Sequence, residues 1–174
     1  TIWGLFSATF YTNVRANLYL TGSSSCLFLK SDHDDTYLAD KEGTDYRYEK
    51  WFKNYSAIEA SGMRCVKILD TYELTYSTRP DARVKGINML RLPELYYIIT
   101  EYYLSLENQD EAVKYFDKVL QSRGLTGYAD RQGATLILEK VIQERRKELI
   151  CEGQYFFTQK RYNQSIYEPK SGKL

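Results

Sequence analysis

Apolar residues recur at Leu92, Leu95, Tyr96, Ile99, Tyr103 and Leu106, and again at Ala112, Val113, Phe116, Val119 and Leu120. Both sets follow the i, i+3, i+4 spacing that lines one face of a helix. Between them Glu107, Asn108, Gln109 and Asp110 make a polar turn too short to separate domains. The pattern across residues 92–124 therefore predicts two helices folded back on each other, with Gly124 ending the second through a left-handed residue. A third stripe at Leu138, Val141, Ile142 and Leu149 predicts another helix, from about Ala134 to Cys151, closed by Gly153. Arg145 and Glu152 share that face and extend the apolar stripe with charge. Tyr155, Phe156 and Phe157 then re-enter as a bulky plug before the turn at residues 160–163.

The first half lacks this periodicity. Residues 1–12 are aromatic and β-branched and predict a strand, and residues 64–76 contain another β-favouring run before a turn around Pro80. Gly22 to Ser25 break the chain ahead of the short apolar run Cys26–Leu29, and residues 30–52 are charged, aromatic and irregular. The expected organisation is one domain over residues 1–174. Residues 1–85 are loop-rich with short strands, 86–161 a helical scaffold and 162–174 a tail.

Large and small residues alternate along the paired helices as in a tetratricopeptide unit: Tyr96, Ile99 and Tyr103 face Ala112, Phe116 and Val119. Ala112 carries most of that reading, because a small side chain there lets the backbones approach closely, with Phe116 filling the space beside it. Such a hairpin needs stacked neighbours, and no second copy follows at a period of about 34 residues. The third helix is the natural neighbour on the C-terminal side. None is found on the N-terminal side, which leads us to expect a longer protein. The expected fold is mainly α: a tetratricopeptide-like helical hairpin plus a long third helix, with long irregular loops and a few short strands. On that third helix Arg145 interrupts an apolar face, so Arg145 or the adjoining Glu144 is expected to be partly buried and paired with another helix.

Charge narrows the function little. Lys and Arg total 24 against 23 Asp and Glu, and this net charge of +1 points to no nucleic-acid partner. No apolar run reaches membrane-spanning length. Cys26, Cys65 and Cys151 are far apart with no CxxC or Cys/His spacing, which reads as buried or idle thiols rather than a zinc site. Asp32, Asp34 and Asp35 suggest calcium, but an EF-hand loop starting there would need Gly and Glu where Tyr37 and Gly43 stand. The one histidine, His33, has no nucleophile beside it, and no phosphate-loop, metalloprotease, hydrolase or dinucleotide motif occurs. Neither an enzyme nor a cofactor or metal is expected.

Aromatics change the picture more. Seventeen Tyr, seven Phe and two Trp make 15% of the chain, more than the helical stripes consume. Tyrosine joins an apolar face to a polar edge, which suits a half-wet binding surface. Tyr11, Tyr19, Tyr37, Tyr46 and Trp51 lie outside every periodic stripe and are the candidate ligand-binding residues; for each the plainer alternative is a ring that pins its loop to the core. Trp51 ranks first among them for its large face and the neighbouring Lys50, Lys53 and Asn54. An exposed aromatic shelf in the loops would favour a sugar ligand, and a bare apolar helical groove a peptide.

The second half also resembles a known family. Residues 87–104, the hairpin ending at Gly124 and residues 137–161 together are similar to the C-terminal part of the SusD/RagB family. Its Arg–x–x–Glu–x–Tyr element matches Arg91, Glu94 and Tyr96. Its ERRxEL…EGxRxFDxxR run matches Glu144, Arg145, Arg146, Glu148, Leu149, Glu152, Gly153, Phe156 and Arg161. Gln154 and Phe157 depart from the usual Arg and Asp. Asp45 and Arg47 look like its Asp–x–Arg element. The resemblance implies tetratricopeptide-like helices beneath long loops in a non-enzymatic, lipid-anchored protein of the bacterial outer membrane. Such a protein holds oligosaccharide beside a SusC-like, TonB-dependent transporter. The rival expectation is a tetratricopeptide-type protein-interaction scaffold. No ligand residue transfers by position, and none of the cysteines fits the family's lipid-bearing one, so the chain is expected to be the C-terminal part of a longer protein.

Overall fold

A computed structural model of the chain describes residues 3–7, 9–10, 13, 45–56, 61–68 and 86–164. Two helices form the predicted hairpin, α2 (Leu92–Ser105) and α3 (Gln109–Ser122); among the described residues four short strands and one short helix precede them. Pro93 in the first turn of α2 costs no hydrogen bond there. The Asn108 side chain caps α3 by accepting from the Glu111 amide at 3.2 Å. At its far end Gly124, with φ 78°, donates to Gln121 O at 3.1 Å, and Leu125 donates to Leu120 O at 3.0 Å. This is a Schellman closure, and the buried Leu120 and Leu125 belong to the same core.

That core joins Tyr97, Ala112, Phe116, Val119, Leu120, Leu125, Leu136 and Val141. The face of α3 is the one its periodicity predicts. The face of α2 is rotated: Tyr97 and Thr100 are its buried residues, whereas Tyr96 and Tyr103 pack at the margin and Leu92 and Leu106 are exposed. Thr100 tolerates burial because its hydroxyl donates to Tyr96 O at 2.8 Å. Tyr115 stacks on Tyr103 with ring centroids 5.7 Å apart and the planes 7° from parallel. The marginal tyrosines thus pack on each other as well as against the core.

Asp117 then turns the chain back. Its buried carboxylate accepts from the amides of Tyr128 (2.7 Å) and Ala129 (3.0 Å), which holds the Tyr128 ring edge-on to Phe116. A side chain at Gly127 would strike that carboxylate at 2.6 Å.

Helix α4 (Leu138–Glu148) packs against α2. It starts later and stops sooner than expected, so the third helix is shorter than either hairpin helix. Residues 134–137 lie before it, and its C-cap is Leu149. Gly153, φ 70°, does not close it but opens α5 (Gln154–Arg161), while Cys151 takes the left-handed turn at φ 63°. Phe156 and Phe157 form no plug: both are exposed, and α5 buries Thr158 and Gln159 instead.

Two small antiparallel ribbons complete the described fold. Strand β1 (Trp3–Phe6) pairs with β4 (Gly86–Leu90), a strand the apolar pattern did not predict, with an irregularity between Trp3 and Gly4. Gly86 is needed there, since a Cβ would lie 2.0 Å from Leu5 O. Strand β2 (Phe52–Ser56) pairs with β3 (Ser61–Cys65), which begins before the run predicted from residue 64. Phe52 and Cys65 form a second core with Tyr48, Trp51, Met63 and Ile150 around it.

Candidate functional site

Helix α1 (Tyr46–Trp51) has six residues, too few to be stable by itself. Asp45 caps it, accepting from the Arg47 amide at 3.0 Å and from its guanidinium at 2.7–3.2 Å. Arg47 is 1% exposed and spans on to α4, 2.7 Å from Glu144 and 3.5 Å from Glu148. The Asp–x–Arg element is therefore a cap and a long-range lock at once. The amide of Tyr46 adds a second tie, donating to Arg123 O at 2.9 Å.

Helix α4 meets these groups with charge. Glu144, Lys147 and Glu148, at i, i+3 and i+4, are buried. Lys147 pairs with Glu144 at 2.8 Å. Glu148, fully buried, accepts from Arg123 (2.8 and 2.9 Å) and Arg91 (3.1 Å). Arg91 also reaches Glu152 at 3.1 Å, and Lys67 pairs with Glu152 at 2.7 Å while donating to Glu148 O. Burial pushes Glu144 upward, but Arg47 and Lys147 outweigh it and hold the carboxyl below its ordinary range. Burial likewise opposes ionisation of Glu148, and Arg123 with Arg91 overcomes it. Lys67 goes the other way: burial and the neighbouring Arg91 lower it despite Glu152. This seam of charge fixes α1, β3 and the end of α3 to one helix.

The lock leaves Tyr46 48% exposed, with Lys50 Nζ 5.9 Å from its ring centroid. Trp51 is half-buried, and Lys67 Nζ sits 4.1 Å from its ring centroid, so a cation occupies one face of the indole. Of the donors expected beside Trp51, Lys50 lies at Tyr46 and Lys53 donates to Glu49 O at 3.1 Å. Tyr11, Tyr19 and Tyr37 lie outside the described residues, as do Cys26, His33 and the acidic run 32–35. The structure thus brings Tyr46 and Trp51 onto one short helix and leaves the other three unplaced. Arg145 is mostly buried and donates to Glu94 on α2 at 2.9 Å, with Glu101 3.6 Å away. Among the described residues no group of His, Cys, Asp and Glu is arranged to hold a metal.

Periodicity did not reveal two grooves that flank the hairpin. One, of 610 Å³, is lined by Leu92, Tyr96, Lys118, Ser122 and Arg123. Lys118 Nζ stands 5.4 Å from the Tyr96 ring centroid and 5.1 Å from that of Tyr115. Arg123 lines this groove and is the residue whose carbonyl holds the Tyr46 amide, so the exposed tyrosine is tied to the groove's rim. The other, of 500 Å³, lies between the start of α3 and residues 128–135, where Arg131 covers the Tyr128 ring at 4.7 Å. Each sets an aromatic surface among charged hydrogen-bonding groups, the combination that binds polyhydroxylated rings. The sequence signal for the first was the Tyr96–Tyr115–Lys118 spacing across the two helices, which the single-helix stripes concealed.

Residues 6–171 match the SusD family. The chain belongs to that family. Two solved structures from Bacteroides vulgatus share the fold. One, a SusD-like carbohydrate-binding protein, aligns with a TM-score of 0.67 at 20% identity over 95% of this chain and 35% of its own. The other, described as sugar binding, aligns with a TM-score of 0.59 at 19% identity over 85% of this chain and 30% of its own. The chain thus spans about a third of the length of these SusD-like structures. No curated protein matches it.

Proposed function

We propose that this SusD-family protein binds oligosaccharide without transforming it and presents it to a TonB-dependent transporter. The family match over residues 6–171 carries the reading. The surface that fits it is the groove beside Tyr96 and Lys118 with Tyr46 at its rim, because sugar C–H patches pack on aromatic faces while flanking cations and hydroxyls bond the ring oxygens. Among the described residues no helix is long and apolar enough to cross a membrane. Placement at the outer membrane by a lipid anchor outside this chain belongs to the same proposal.

Calorimetric titration of the full-length protein with a panel of oligosaccharides, beside a thermal melt, tests it. Tyr46→Ala should weaken binding with the melt unchanged, since the ring is exposed and α1 is held through its backbone and Arg47. Trp51→Ala should lower the melting temperature as well, because Lys67 loses its seat. An absence of sugar binding in the wild-type protein would overturn the reading.

One observation favours protein interaction as a second role. Ile98 and Tyr102 on α2 and Leu106 at its C-cap recur every four residues and are 44%, 58% and 57% exposed. Replacing Ile98 and Tyr102 by Asp should abolish co-elution with the transporter and leave the sugar titration unchanged. Unaltered co-elution removes this face from the interface.

A further inference from the structure

Two of the cysteines meet. Cys65 ends β3 and is buried in the small core with Phe52, whereas Cys151 lies at the surface beyond α4. The segments that carry them run side by side although they stand far apart in the sequence: Lys67 pairs with Glu152 at 2.7 Å, and Ile150 packs on the core that holds Cys65. We propose that Cys65 and Cys151 are a disulfide-forming pair that staples the β2–β3 ribbon to the corner between α4 and α5.

The flanking contacts hold the two backbones together independently of sulfur. Lys67, two residues past Cys65, pairs with Glu152, the residue after Cys151, at 2.7 Å, and donates to Glu148 O. Val66 donates to Trp51 O, and Ile150 packs on the Phe52–Cys65 core. A disulfide demands a close and particular approach of two Cβ atoms, and the ties on both flanks hold the two segments side by side for it. Cys151 also adopts φ 63°, a left-handed conformation ordinarily given to Gly or Asn. A cysteine held in that turn, aimed at a second thiol, is a poor choice for an idle residue.

The reaction needs a two-electron oxidant, here a low-molecular-weight or enzyme-borne disulfide. Its approach is set by exposure, since Cys151 is the accessible sulfur. Cys65, once ionised to solvent, takes the Cys151 proton as Cys151 Sγ attacks the oxidant. The oxidant's S–S bond breaks, one thiolate leaves, and a mixed disulfide forms on Cys151. Cys65 then loses its proton and attacks Cys151 Sγ, expelling the second thiolate. Both protons end on the two released thiols, and the protein has lost two electrons to the oxidant. The hydrogen bond from Cys151 and the nearby Lys67 hold the Cys65 thiol below its ordinary range against the effect of burial, which favours this resolving step.

The full-length protein, equilibrated with oxidised glutathione and then alkylated with iodoacetamide, is digested and mapped by mass spectrometry. The expected product joins the Cys65 and Cys151 peptides, two hydrogens lighter than the reduced pair, and dithiothreitol separates them. Its melting temperature should exceed that of the reduced form by on the order of 5 °C or more, the effect of cross-linking residues distant in sequence. Cys65→Ser and Cys151→Ser should each lose the joined peptide and the redox-dependent shift, while Cys26→Ser keeps both. The proposal fails if both cysteines are alkylated after oxidation. It fails equally if Cys151 stops at the glutathione adduct, or if either cysteine joins a different partner.

Discussion

In the α2–α3 hairpin the buried side chains are Tyr97, Ala112, Phe116, Val119 and Leu120, whereas under α4 they include Glu144, Lys147 and Glu148. The hairpin gains from apolar area removed from water, about 1.5–3 kcal/mol for each large side chain, and its gain is indifferent to pH. The seam gains little net from burial, because desolvating each charge offsets most of the attraction to its partner. What it supplies is position. Arg47, Arg91 and Arg123 come from three parts of the chain and converge on the single carboxylate of Glu148. An apolar core tolerates rearrangement, but a buried carboxylate with named donors admits few alternatives. The hairpin thus gives the scaffold its stability, and the seam fixes where the loop-borne α1 and its tyrosine sit.

The two regions should separate on acidification, where the largest effects lie. Phe116→Ala should cost about 3–5 kcal/mol through the cavity it leaves. Glu148→Gln should cost a similar 3–5 kcal/mol at pH 7, because the guanidiniums lose their buried counter-charge. Glu144 and Glu148 are held below the ordinary carboxylate range in the folded state. Their contribution is therefore full above the unfolded value of about 4.3 and lost as pH falls through the folded value. Denaturant titrations at pH 7 and pH 3 should show the Glu148→Gln deficit shrinking while that of Phe116→Ala persists. Equal deficits at both pH values would mean that Glu148 is not held by charge.

Below these, Ala112→Leu should cost about 1–3 kcal/mol by overpacking the core that Ala112 shares with Tyr97 and Phe116. Arg145→Ala should cost about 1.5–3 kcal/mol, the range for a hydrogen bond to a charged group, through its bond to the Glu94 carboxylate. Shifts in denaturant midpoint at constant slope measure both. A negligible shift for Arg145→Ala would detach the α2–α4 contact from the seam.

Legibility in the sequence divides along the same line. The hairpin, its polar turn and the Gly124 closure follow from local spacing, and they fold as that spacing predicts. The phase of α2 does not follow, because residues 95–99 are all apolar and any face is compatible with them. In helix α4 the interruption of an apolar face by Arg145 announces a buried, paired charge at Arg145 or Glu144, but not the burial of Lys147 and Glu148. The helix's burial depends on partners 97, 57 and 25 residues away, which no local pattern encodes. Of the candidate site, the exposure of Tyr46 and the burial of Trp51 under Lys67 were equally hidden, since both are aromatics on one short turn. What distinguishes them is the cation that β3 and its following turn deliver.

The smallest expected effect tests where one region ends and the other begins. Tyr97 is fully buried between Phe116, whose ring centroid lies 6.2 Å away, and the charged seam. Its hydroxyl is buried without a hydrogen-bond partner. Burial and the adjacent Glu144 and Glu148 push its ionisation well above the ordinary tyrosine range, so it enters the seam as a neutral dipole. A desolvated hydroxyl with no partner costs stability rather than adding it. Tyr97→Phe keeps the ring contact with Phe116 and removes that cost. Its denaturant midpoint should match or exceed the wild-type value, with any loss below about 0.5 kcal/mol. A loss above about 1 kcal/mol would show the hydroxyl bonded into the charge network, making hairpin and seam one cooperative unit. The wild-type chain should then lose its hairpin together with its seam at pH 3, and Phe116→Ala should join Glu148→Gln in its pH dependence.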